Sequence, residues 1–259
     1  MAITRVQGNA RGTGTGGVSF TVTVTLSSSP TNDNLLILSS IGVNTSSSGD
    51  AYYVYVSSIT QTNVTWTKQI GKRCTATEGA SPHGLYTEIW VGVVGASASA
   101  SITVNMAAAA ATSNLGISDV CEYSGLLTSG FLDKTASNTS LNSTTLDTGT
   151  TAVTAQADEL WVGATGGGGT TSATTQASPT NGFTLLDGAD YSFSGWHQSL
   201  AYLEKIVSSA AAANSGTTAA NAVDSACCIA TFKAVAAGGL SIPIAMHHYG
   251  HHINKIIRG

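Results

Sequence analysis

Residues 18–26 read Val-Ser-Phe-Thr-Val-Thr-Val-Thr-Leu, and this stretch decides the fold. Val18, Phe20, Val22, Val24 and Leu26 fall on one side of an extended chain, with Ser and Thr on the other. Side chains alternate across a strand, so the pattern predicts a half-buried β-strand. More stretches of this kind follow at short spacing: NLLILSSIG (34–42), AYYVYVSS (51–58), VTWTKQI (64–70), LYTEIWVGVV (85–94), ASITVNM (100–106) and NLGISDVCEY (114–123). The connections carry Ser, Gly, Asn and Pro, which suit turns. No helical period is visible before the last twenty residues, so the chain is expected to be all-β.

A second set of strands echoes the first in the same order. TNDNLLILSS (31–40) matches AQADELWVGA (155–164), and VTWTKQIG (64–71) matches GFTLLDGA (182–189). LYTEIWVGVV (85–94) matches SLAYLEKIV (199–207), and LGISDVCEYSG (115–125) matches SACCIATFKA (225–234). Two similar halves are compatible with two small sandwiches or with one large two-sheet jelly roll in which each half contributes to both sheets. No Pro-rich or charged linker separates them, which favours the single sandwich. SNTSLNSTTLDTGTT (137–151) is the best candidate divider. The expected organisation is an extended N-terminal arm over 1–17, rich in glycine, a β-sandwich over 18–235 and a C-terminal anchoring tail over 236–259.

The tail has a different chemistry. In LSIPIAMHHYGHHINKIIRG, Met246, Tyr249, Ile253, Ile256 and Ile257 recur at helical spacing, with His247, His248, His251, His252, Lys255 and Arg258 opposite. Ser241 and Pro243 form a start signal for a short helix. Such a helix is marginal alone and needs a surface to dock on. The apolar stripe is therefore assigned to partner docking. His247/His251 and His248/His252 are i,i+4 pairs able to grip a divalent transition metal. Two imidazoles make a weak site, so metal is the secondary reading and no cofactor is expected.

Charged residues are 9% of the 259, and the net charge is −4. No basic stripe exists outside the tail, which argues against nucleic acid. No apolar run approaches the ~20 residues of a membrane span, and MAITRVQGNARG does not read as a secretory signal. A weakly charged surface is easily desolvated against neighbouring subunits, so a homo-oligomer is expected. Cys74, Cys121, Cys227 and Cys228 lack metal-site spacing and read as buried free thiols.

Signatures of catalysis are weak. GTGTGG (12–17) satisfies the dinucleotide-loop pattern but precedes a strand rather than a helix. Gly166–Gly169 lacks the Lys of a phosphate loop. Asp119/Glu122 and Asp158/Glu159 project to opposite faces and read as solvated loop or strand-end carboxylates, not as a glycosidase pair. No enzyme is expected. Tyr191, Phe193, Trp196 and His197 in DYSFSGWHQ are the candidate sugar-binding surface, with core packing as the alternative.

The block order resembles a family of proteins from tailed phages and environmental bacteria. The resemblance rests on DNLLIL (33–38), Thr65–Trp66, TEIWVG (87–92), EYSG (122–125), LDKTAS (132–137), TGTT (148–151), DELWVGA (158–164) and IATFKA (229–234). It covers about residues 30 to 235 and its motifs are strand-core signatures. It implies a concanavalin-like or jelly-roll sandwich on a virion or cell surface, and trimeric assembly. The expected function is thus a non-enzymatic bacteriophage structural protein: a decoration, head-fibre or tail-associated subunit, made in the host cytoplasm and bound to other virion proteins through the tail or arm. The alternatives are a carbohydrate-binding or adhesion module reading a cell-surface glycan, or an extracellular filament subunit, secreted or at the cell surface.

Overall fold

A computed structural model describes residues 2–44, 53–75, 84–108 and 114–236. Every regular element among them is a strand. The first half contains β1 (Thr4–Gly16), β2 (Ser19–Thr25), β3 (Leu35–Asn44), β4 (Val54–Thr60), β5 (Val64–Thr75), β6 (Gly84–Val94), β7 (Ser101–Ala108) and β8 (Asn114–Ser124). The second contains β9 (Leu132–Asp147), β10 (Asp158–Thr170), β11 (Gln176–Ala177), β12 (Thr184–Asp187), β13 (Asp190–Phe193), β14 (Trp196–Ser208) and β15 (Gly216–Lys233). The chain is an all-β sandwich.

The sheets separate by half. One five-stranded sheet runs β1-β8-β3-β6-β5, and a seven-stranded sheet runs β11-β15-β10-β14-β12, with β9 on β15 and β13 on β14. A three-stranded sheet, β2-β7-β4, covers the outer face of the first. Each half therefore builds its own main sheet, instead of feeding strands to both as the sequence reading expected. All the ladders are antiparallel, but among the described strands only β5–β6 and β13–β14 are paired neighbours in the chain; the others join strands separated by intervening ones.

The internal repeat is complete at the level of strand order. β8-β3-β6-β5 has its counterpart in β15-β10-β14-β12, and the register is retained. Leu35 sits between Val93 and Tyr123, as Leu160 sits between Ile206 and Phe232. The two main sheets face each other, with β6 over β10 and β15 and β14 over β3 and β8, the pattern of a pseudo-twofold. Leu35, Ile37, Ile89, Leu160, Tyr202 and Phe232 are fully buried in the core between them. Burial of each such side chain stabilises by about 1.5–3 kcal/mol. Gly166 lets the sheets approach, since Thr87 and Ile41 occupy the space its Cβ would take.

The covers correspond as well. In the first half, Val22, Val24, Val54 and Val104 pack down on Leu36, Leu38 and Val120. Val18, assigned from sequence to the same buried face, lies outside β2 and is half exposed. In the second half the cover shrinks to bridges. Thr148, Thr151 and Thr154 donate N–H bonds to Ser215, Ala213 and Ala211, and Trp161, Phe183, Leu203 and Ile229 pack beneath. Because β3 and β8 are covered on both faces, β3 is buried throughout and β8 as far as Tyr123.

Two segments depart from expectation. The stretch read as an extended arm is β1, paired along β8. Residues 137–147 of the candidate divider lie inside β9, an edge strand whose Ser, Thr and Asn side chains face water on one side.

Candidate functional site at the end of the sandwich

Strand direction gives the body two distinct ends. At one, Ala234 N–H donates to Asp158 O and Val235 N–H to Gly125 O, and the chain leaves toward residues 236–259. At the other lies the β13–β14 turn. β14 spans the distance between them in 13 residues, about 40 Å at 3.3 Å per residue.

That turn is a two-residue hairpin. Ser194 and Gly195 both have positive φ, 53° and 80°, the combination of a type I′ turn, whose twist suits antiparallel strands. Tyr191 pairs with Gln198, Ser192 with His197 and Phe193 with Trp196. Directly opposed residues share a face, so Tyr191, Phe193 and Trp196 lie together. Tyr191 packs on the central core, while Phe193 remains 42% exposed at the tip. Gln198 lies on this face, fully buried, and among the described residues no hydrogen bond reaches its amide.

His197 points to the opposite face with Asp190 and Ser199. Its Nδ1 donates to Asp190 Oδ2 at 2.6 Å, and Asp190 Oδ1 accepts from Thr174 N and Oγ1, both at 2.7 Å. The structure thus joins three of the four sequence candidates and separates His197, whose imidazole is pinned by a carboxylate. The tail residues Met246, Tyr249, Ile253, Ile256 and Ile257, and the histidines 247, 248, 251 and 252, lie outside the described residues. Among the described residues no group of His, Cys, Asp and Glu is arranged to hold a metal.

Of the four carboxylates read from sequence as solvated, Asp158 at the start of β10 is exposed as expected, but Asp119, Glu122 and Glu159 are not. Asp119, Glu122, Glu88 and Glu159 are each at most 1% exposed. Asp119 is held by Arg11. Glu122 accepts from Gln7, Asn34 and Thr31 N–H at 2.5–2.8 Å. Glu88 is paired with Lys68 and accepts from Val56 N–H. These acids fasten strands to one another, which is why they are inside. Glu159 differs: burial pushes its carboxyl up to about 7, the neighbouring Asp133 adding to the shift and Thr231 opposing it.

A second aromatic group was missed from sequence. Tyr53 lies 5.4 Å from both Tyr55 and Tyr86, Arg73 sits over Tyr53 and Lys68 over Tyr86, each cation 4.5 Å from the ring centroid. The alternation Tyr53-Val54-Tyr55 was the available signal, because period 2 puts the valine inside and the tyrosines outside. Cations already cover Tyr53 and Tyr86, whereas Tyr55 and, at the hairpin tip, Phe193 are exposed.

The fold and these features define a charge-poor, internally duplicated β-sandwich with an aromatic hairpin at one end. Comparison with family models, curated proteins and solved structures gave no match.

Proposed function

We propose that the chain is a non-enzymatic structural subunit of a bacteriophage virion, a decoration, head-fibre or tail-associated protein, anchored through residues 236–259. The observation that carries this reading is axial. The chain leaves the body at Val235, and the aromatic hairpin projects about 40 Å away at the opposite end. An element fixed at the first end presents the second to its surroundings. The carboxylates locked into the fold and the duplicated core support a rigid spacer. Removing 236–259 should abolish association with the particle while leaving the melting transition of the body in place. Retained association would refute the anchor.

A second reading is favoured by the hairpin itself. Tyr191, Phe193 and Trp196 on one face suit stacking on sugar rings, giving a carbohydrate-binding or adhesion module on the virion or a bacterial surface. Glycan-array binding lost in Phe193→Ala/Trp196→Ala would support it; binding that survives that double substitution would locate the sugar elsewhere.

A further inference from the structure

β5 is the edge strand of the first main sheet, and one of its lysines meets a buried acid on β6. Lys68 lies opposite Trp90 and Gly71 opposite Glu88, with a bulge at Gln69 between them. Opposed residues share a face, so Lys68, Tyr86, Glu88 and Trp90 stand together on the side covered by β4. Gly71 carries no side chain, and the space its Cβ would take holds the Tyr86 hydroxyl. Lys68 reaches Glu88 along the diagonal.

The contact differs from an ordinary ion pair, which points an N–H at a carboxylate lone pair. Lys68 Nζ touches Glu88 Oε1, yet Oε1 accepts no hydrogen bond. The nitrogen therefore lies against the carboxyl group without aligning on that oxygen. The other oxygen, Oε2, accepts from Val56 N–H at 2.6 Å, and Nζ donates to the Tyr86 hydroxyl at 2.8 Å. The Glu88 side chain is only 1% exposed.

The geometry points to an intramolecular isopeptide bond between Lys68 Nζ and Glu88 Cδ, a covalent cross-link of β5 to β6. One ammonium proton first passes to Oε1, which removes both charges from a site that disfavours them. Burial raises the Glu88 carboxyl and so favours this state. Lys68 is raised as well: burial lowers it, but the Glu88 charge outweighs burial, and that charge vanishes with the transfer. The Nζ lone pair then forms the bond to Cδ, and the C–O π pair moves onto Oε2, where Val56 N–H stabilises it. Tyr86 takes a second proton from Nζ and hands its own to Oε1. As the pair returns, the Cδ–Oε1 bond breaks and Oε1 leaves as water. Two of the three ammonium protons depart in that water, and one remains on the amide. No co-reactant is required, because the fold holds the two groups in contact. Lys68 then covers Tyr86 as an amide, and an edge strand is fastened to its sheet. The inference rests on this pair and is independent of the particle reading.

The test is the intact mass of the full chain, kept folded at neutral pH and then denatured. The chain should weigh one water less than its sequence. Trypsin does not cut after an acylated lysine, so digestion should release a branched peptide joining residues 12–72 to 74–134. Lys68→Met and Glu88→Ala should each restore the full mass. A parent chain at full mass, with 12–68 and 74–134 released as separate linear peptides, would overturn the inference. So would a water loss that persists in Lys68→Met. The measurement on the parent stands whether or not the variants fold.

Discussion

Arg11 of β1 grips Asp119 of β8 at two points, Nε to Oδ1 at 2.8 Å and Nη2 to Oδ2 at 2.7 Å. The same guanidinium donates to Leu200 O at 2.7 Å and Ala189 O at 3.0 Å and lies 3.2 Å from Asp187. One side chain therefore ties the first sheet to the second. Asn9 adds longer bonds to Asp119 and Asp187. Arg5 pairs with Glu204, which also accepts from Tyr123, both at 2.8 Å. This polar seam turns a glycine-rich segment into a structural strand.

Arg11→Leu should destabilise the body by about 3–5 kcal/mol, because it strands a wholly buried carboxylate. Arg11→Leu/Asp119→Leu should recover much of that loss, since an apolar pair of similar size leaves no unpaired charge. Urea denaturation measures both. A double variant no more stable than the single would show that the seam acts by another route.

Glu159 imposes a pH dependence whose sign is fixed. A carboxyl at about 7 in the folded chain and at its ordinary 4.5 when unfolded keeps its proton longer in the native state. Its stabilising contribution is complete below about pH 4.5 and is lost as pH rises through about 7. The loss amounts to at most about 3 kcal/mol. Glu159→Gln should flatten the fall in melting temperature between pH 5 and pH 8 and melt above the parent at pH 8. Parallel profiles for the two proteins would exclude Glu159 as the source.

The cysteines should be inert while the body is folded. Burial raises Cys74 to about 11 and Cys121 and Cys227 to about 12, and Cys228 is raised by the same cause. All four are buried and free. Adjacent Cys227 and Cys228 face different clusters, as strand alternation requires. Alkylation at pH 8, followed by mass spectrometry, should proceed only at the rate of global unfolding. Rapid modification of any one would indicate local opening around it.

The hairpin turn has its own requirement. Gly195 sits at φ 80° with open space around its missing side chain. Gly195→Ala should therefore cost about 1 kcal/mol through backbone conformation alone. Gly166→Ala should cost more, because there the added methyl meets Thr87 and Ile41 in the core. Thermal melts of the two variants give the order, and a reversed order would contradict the packing between the sheets.

Much of this architecture was legible in the sequence. Alternation located β2 and the strands that follow it, and the repeat gave the order in which they recur. The alignment was nevertheless displaced by one residue. It matched Leu36 with Leu160, but Leu36 faces the cover and Leu160 the central core, and the true counterpart is Leu35. The match of 64–71 with 182–189 was displaced as well, setting Trp66 against Thr184, whose counterpart is Thr67; a shift of one residue turns a strand's side chains to the other face. β1 and β9 escaped detection because their stability comes from partners, Asp119 and β15, and not from an apolar face of their own. The aromatic trio was visible as a cluster; the separation of His197 needed the pairing of Ser192 with His197.

The central claim is the polarity of the body, fixed at the Val235 end and displayed at the hairpin. Single cysteines placed at Ser194 and at Val235 can report it against the silent background of buried thiols. Maleimide labelling of each variant should be compared free and within the assembled particle. Ser194→Cys is expected to react equally fast in both states, and Val235→Cys to become protected on assembly. Protection at Ser194 with Val235 left open would contradict the account.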